Sequence, residues 1–80
     1  MKLELYYFKG CPFCGLVMDE INQSGRTDIE YHDIHQSRTD YDRLLKDGGI
    51  DQVPCLFIDD RPLYESSDII AWLQAHPQNA

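Results

Sequence analysis

Three cysteines carry the chemistry this sequence can offer. Two form Cys11-Pro12-Phe13-Cys14, and the third, Cys55, stands alone. A Cys-x-x-Cys pair can exchange disulfides, supply half of a zinc site, or close a small structural ring. A zinc site needs a second pair or a histidine at matching spacing. There is no second pair, and His32, His35 and His76 are scattered away from the cysteines, so no metal is expected. A structural disulfide would close a very short ring, and loop entropy gives it about 2 kcal/mol, against roughly 3 for a 15-residue loop. Thiol–disulfide exchange is the reading that uses both thiols.

That chemistry depends on where the pair sits. Residues 3 to 8, Leu-Glu-Leu-Tyr-Tyr-Phe, are strand formers, and the apolar run fits a strand buried on both faces. Lys9-Gly10 ends it. Pro12 suits the first position of a helix, where its missing N–H costs nothing. Phe13, Leu16, Val17 and Ile21 follow at helical spacing, and Ser24-Gly25 stops the helix. The pair therefore stands where a strand hands over to a helix. A helix N-terminus carries about half a positive charge and several unpaired N–H groups, which favour a thiolate. Cys11, in the loop before the helix, is expected to be the more exposed and more readily ionised thiol, the one that attacks. Cys14, one turn inside, is expected to be covered and to resolve the mixed disulfide. A thiolate stabilised in this way loses some intrinsic nucleophilicity, with a Brønsted slope of about 0.4–0.5, but becomes a better leaving group. That favours repeated making and breaking of bonds at one sulfur.

The rest of the chain supplies the frame. Residues 29 to 34 read as a second strand. Ser37 caps a second helix, with Asp40 three residues on and Tyr41, Leu44 and Leu45 on its buried face. Gly48-Gly49 ends it. Residues 53 to 58, from Val53-Pro54 to Ile58, form a third strand, and Asp59-Asp60 a solvated turn. Arg61 to Tyr64 returns as an edge strand, because Pro62 cannot donate to a central ladder. Ser66 or Ser67 caps a last helix carrying Ile69, Ile70 and Leu73, with Trp72 in the core or half-buried. Cys55 reads as a buried, inert strand cysteine. The order β-α-β-α-β-β-α predicts an α/β fold with a four-stranded mixed sheet covered by helices, in one domain over residues 1–80.

Composition excludes several classes. With 14 acids against 7 bases the net charge is −7, which speaks against sequence-independent nucleic-acid binding. With 42% hydrophobic and 26% charged residues the chain is globular in composition. No apolar run nears the roughly 18 residues of a membrane span. The acid in Met1-Lys2-Leu3-Glu4 argues against a secretory leader, so a cytoplasmic location is expected.

With these motifs in place the chain resembles a glutaredoxin over nearly its whole length. The anchors are Cys-Pro-Phe-Cys after the first strand, Val53-Pro54 at the third, and the polar helix start Glu65-Ser66-Ser67-Asp68. The Glu-Ser-Ser segment is more like the N-terminal domain of glutathione transferases than like the Gly-Gly-x-Asp of many glutaredoxins. The resemblance implies a thioredoxin-like fold, a cis peptide at Pro54, and glutathione as reductant, carried on Cys11 during turnover. It implies that the backbone of Val53 pairs with the peptide part of glutathione, beside Pro54. It assigns the γ-glutamyl carboxylate to Ser66 and Ser67, where helix N–H groups suit a carboxylate, and the glycine carboxylate to Lys9. Phe13 and Glu65 join them as candidate contacts. Arg38, at the start of the second helix, is expected on the surface. The expected partners are glutathione and glutathionylated or disulfide-containing proteins, and a monomer is expected. Two alternatives share the fold: a carrier of a [2Fe–2S] cluster ligated by Cys11 and glutathione, and an electron donor reduced by a thioredoxin reductase.

Overall fold

The computed structural model describes residues 1–78. Its elements are β1 (Leu3–Tyr7), α1 (Pro12–Ser24), β2 (Ile29–Asp33), α2 (Arg38–Arg43) running into a π-helical turn (Leu44–Gly48), β3 (Cys55–Ile58), β4 (Arg61–Tyr64) and α3 (Ser66–Ala75). The sheet order is β2-β1-β3-β4, with β1 parallel to β2 and antiparallel to β3, and β3 antiparallel to β4. This is the predicted thioredoxin-like topology.

Period-two alternation assigns the two faces of the sheet. Leu3, Leu5 and Leu56 point to one face and pack with Val17 and Ile21 of α1 and Ile69 and Leu73 of α3. Tyr6, Cys55 and Phe57 point to the other and pack with Ile34 and Leu44. β1 is, with β3, one of the two inner strands and is buried on both faces, as its apolar run requires. β4 is an edge strand, as is β2, and Pro62 is accommodated in β4 opposite Phe57. Asp59 and Asp60, at φ 47° and 70°, make the tight turn between β3 and β4. Positive φ at both central residues matches the twist of the flanking strands.

The helix ends follow the expected capping chemistry at Gly25, Ser37 and Gly49 but not at the start of α3. Gly25 closes α1 at φ 72°, its N–H bonded to Asn22 O at 3.2 Å. Ser37 Oγ accepts the N–H of Asp40 at 3.2 Å and starts α2. At α3 the expected serine cap is absent. The cap position is Glu65, at φ 70°, and no side chain bonds the helix start.

Other expectations are corrected. β3 begins at Cys55, so Val53 and Pro54 lie in the loop before the strand. β1 and β2 each end one residue sooner than the sequence suggested. Leu16 is 52% and Leu45 40% exposed, although their spacing matched the buried stripes. In α1 only the Cys14–Val17–Ile21 stripe is fully covered. At Leu45 the wider π turn shifts the helical phase away from the sheet. Among the described residues no helix is long and apolar enough to cross a membrane.

Candidate active site

Cys11 is the N-cap residue of α1. Its backbone is extended, at φ −78° and ψ 115°, and its Sγ accepts the N–H of Cys14 at 3.3 Å. This position usually belongs to a Ser, Thr, Asp or Asn oxygen; here a sulfur takes the orphan donor. Gly10, at φ 90°, makes the turn that brings the chain from β1 into this cap, and Pro12 follows at the first helical position. Cys11 is partly exposed, whereas Cys14 is 1% exposed beneath it. Burial, and then the hydrogen bond with Cys11, push the Cys14 thiol up to about 12. Both sulfurs are free, and Cys14 keeps its proton at neutral pH.

The Val53–Pro54 peptide bond is cis, the isomer the resemblance implies. Val53 and Pro54 form one wall of a cleft of about 360 Å³, completed by Phe13, Gln52, Glu65 and Ser66. Three separate stretches meet there: the first turn of α1, the loop before β3 and the N-terminus of α3. Phe13 stands between the two cysteines in sequence and is 61% exposed, so it forms an open aromatic rim. Gln52 Nε2 donates to Glu65 Oε1 at 3.1 Å, tying the loop to the helix start. With no side-chain cap, the first N–H groups of α3 are left for an outside acceptor.

The candidate residues divide accordingly. Phe13, Val53, Pro54, Glu65 and Ser66 are brought to one cleft, beside the helix turn that carries Cys11 and Cys14. Lys9 and Ser67 are exposed and do not line it. Arg38 lies on the surface, paired with Asp42 at 3.0 Å. Gln52 is the lining residue that sequence reasoning missed, and a glutamine in a loop carries no periodic signal that could have found it. Two other concavities, of about 390 and 450 Å³, lie around Arg26 near the C-terminal end of α3. No cysteine lines either of them or the cleft itself, which only adjoins the turn that carries Cys11 and Cys14. The Arg26 guanidinium is already bound to Asp28 and to the carbonyls of Leu73 and His76, so it is a structural clamp.

The family model of the glutathione S-transferase N-terminal domain matches residues 5–80. The chain belongs to that family. Among solved structures it is similar to a thioredoxin-like protein, with 26% identity and a TM-score of 0.78 over 92% of this chain and 97% of that one. A glutathione transferase of Drosophila melanogaster is 25% identical, with a TM-score of 0.76 over 99% of this chain and 36% of that one. A glutathione transferase homolog from Sulfitobacter, solved with bound glutathione, is 19% identical, with a TM-score of 0.75 over 92% of this chain and 36% of that one. The 80 residues thus span well under half of the transferases but nearly all of the thioredoxin-like protein. No curated protein matches the chain. Membership fits the Glu-Ser-Ser segment better than the glutaredoxin pattern does, and gives the chain a glutathione-related setting.

Proposed function

We propose that residues 1–80 act as one glutathione-dependent thiol–disulfide oxidoreductase domain of the cytoplasm, with Cys11 as nucleophile and Cys14 as resolving thiol. The observation that carries this reading is the asymmetry of the pair. Cys11 is accessible and sits on the N–H groups of a helix start, while Cys14 is covered and held protonated. A helix N-terminus favours negative charge on the sulfur it holds. The sulfur that can be reached is therefore the one that stands on the helix start, while the covered one keeps its proton.

The electron balance is closed by glutathione alone. The Cys11 thiolate attacks the glutathione sulfur of a protein–glutathione mixed disulfide, and the protein thiolate leaves and takes a proton. A second glutathione, as thiolate, attacks the Cys11 mixed disulfide, releasing glutathione disulfide and the Cys11 thiolate. With a protein disulfide, the Cys11 thiolate attacks one protein sulfur and the other leaves as a thiolate; Cys14 then attacks Cys11 Sγ, its proton passing to the second protein sulfur as that leaves. An internal Cys11–Cys14 disulfide forms, which two glutathiones reduce. The tripeptide lies in the cleft, its γ-glutamyl carboxylate on the open N-terminus of α3 at Ser66 and Ser67 and its peptide part along Val53 and Pro54, with Phe13 and Glu65 at the rim. The open helix start supports this placement, as does the cleft lining for Phe13, Val53, Pro54, Glu65 and Ser66; Ser67 stands outside that lining. Lys9, outside the lining, meets the glycine carboxylate only if its long side chain folds over the rim. The test is glutathione-coupled reduction of a small mixed disulfide. Turnover that needs Cys11 supports the reading, and turnover by Cys11→Ser protein overturns it.

A second reading is favoured by the likeness to a thioredoxin-like protein of nearly the same length. In it the same two cysteines take electrons from a thioredoxin-reductase-type flavoenzyme. Supplying each reductant separately decides between the two.

A further inference from the structure

The α2 side of the sheet holds a cluster that the redox chemistry leaves unused. In the parallel β1–β2 pair, Glu4 lies opposite Glu30 and Tyr6 opposite His32. Like charges directly opposite one another destabilise a sheet, and here Glu4 is only 4% exposed. His32 stands between them. Its Nε2 is 2.9 Å from Glu30 Oε1 and 3.4 Å from Glu4 Oε2, and its Nδ1 is 2.9 Å from Asp40 Oδ1. Its ring stacks on Tyr6 at 4.7 Å, which fixes its plane. In either neutral tautomer one ring nitrogen of His32 turns a lone pair toward a carboxylate, Nδ1 toward Asp40 or Nε2 toward Glu30 and Glu4, acceptor against acceptor. The cluster therefore calls for a further positive charge, which a proton or a metal ion can supply.

A second observation separates those two occupants. Glu4 Oε1 is buried with no hydrogen-bond partner, the one such side-chain atom among the described residues. A proton on His32 leaves that oxygen unsatisfied, whereas a metal ion can take both oxygens of one carboxylate. The ligand atoms offered by Glu4, Glu30 and His32 all lie within 4.8 Å of one another. Bonds of about 2.0–2.2 Å to one central ion need only a small inward movement, and Glu30, with its side chain 55% exposed, is free to make it. Lys2 and Arg43 also approach Glu4, at 3.9 and 3.3 Å. Glu4, Glu30, Asp40, Asp47 and Asp60 outnumber them in the same network, so the cluster keeps a net negative charge with His32 neutral.

We propose that Glu4, Glu30 and His32 form a binding site for a divalent cation of the zinc class. The mixed imidazole and carboxylate donors suit that ion. Asp40 is the outer carboxylate, which accepts the Nδ1–H and so aims Nε2 at the metal. The ion ties β1 to β2 and, through Asp40, to α2. It is independent of the cysteines.

The test is calorimetric titration of zinc chloride into Cys11→Ser/Cys14→Ser protein, in which the only remaining thiol, Cys55, is fully buried. One equivalent is expected to bind and to raise the unfolding temperature. His32→Gln is expected to weaken binding at least about 100-fold and Glu30→Gln at least about tenfold, with Asp40→Asn losing about 10- to 100-fold through the orientation of His32. No heat of binding up to millimolar zinc overturns the proposal, as does zinc bound with equal affinity by parent and Glu30→Gln protein. Glu30 is on the surface, so its variant decides the question even if His32→Gln protein does not fold.

Discussion

The N-termini of α1 and α3 border the same cleft and are finished in opposite ways. At α1 the orphan N–H of Cys14 is met by the chain's own Cys11 sulfur. At α3 the cap position holds Glu65 at a positive φ, and no side chain bonds the helix start. A third helix shows the ordinary solution, Ser37 capping α2. A helix end left open costs stability unless water or a ligand satisfies it. In the proposed function, the difference gives the α1 end the task of holding a reactive sulfur and the α3 end that of receiving an acceptor from outside. Phe13 from one helix and Ser66 from the other bring both ends to one cavity.

The largest expected effect tests the α1 end. Cys11→Ser keeps a cap acceptor, so the melting temperature should change little. Glutathione-coupled reduction of a small mixed disulfide should fall at least about 1,000-fold, because the nucleophile itself is gone. Cys14→Ser should retain that activity within about threefold, since resolution by an external thiol does not need it. Reduction of protein disulfides should be lost in the same variant, as read by an insulin-type precipitation assay. A Cys14→Ser protein inactive in both assays breaks the division of labour between the two thiols.

The α3 end should give smaller changes of another kind. Ser66→Ala removes a hydroxyl from the cleft but leaves the backbone N–H. It should raise KM for glutathione about fivefold with kcat unchanged, the effect of one hydrogen bond of about 1 kcal/mol. Ser37→Ala, at the conventionally capped α2, should cost about 1 kcal/mol in urea unfolding and leave KM alone. If the two serines behaved alike, the contrast between a ligand-facing and a structural helix end would disappear.

The covered thiols add a pH dependence. Burial pushes Cys14 up to about 12 and Cys55 up to about 11 from an ordinary value of 9.0. Well below 9 both thiols are protonated whether the chain is folded or not, and their ionisation has no influence on stability. Above 9 the unfolded chain releases protons that the fold retains, so stability should fall as the pH rises towards 11 and 12. Urea midpoints between pH 8 and 11 check this. Cys14→Ser should flatten part of the slope.

Local chemistry made much of this legible. The Cys-x-x-Cys at a strand-to-helix junction, Gly25, Ser37, Pro62 and the apolar run of β1 each act within a few residues, and each predicted its element. What escaped depends on distant partners. Arg43 reaches Glu4 and Tyr6, 39 and 37 residues away, and lies over the Phe57 ring at 4.1 Å. Arg26 closes on carbonyls 47 and 50 residues off. Gln52 joins the cleft only because the loop before β3 folds against α3. A serine cap at α3 is what Glu-Ser-Ser-Asp suggests, and the positive φ of Glu65 overturns it, a backbone state that residue type does not announce.

The most direct measurement is a trapping experiment. Cys14→Ser protein is incubated with glutathione disulfide, and the product is weighed intact and mapped by peptide mass. One glutathione on Cys11, removed by added glutathione, is the result this account predicts. An adduct on Cys55, or none at all while Cys11 remains a free thiol, would contradict it.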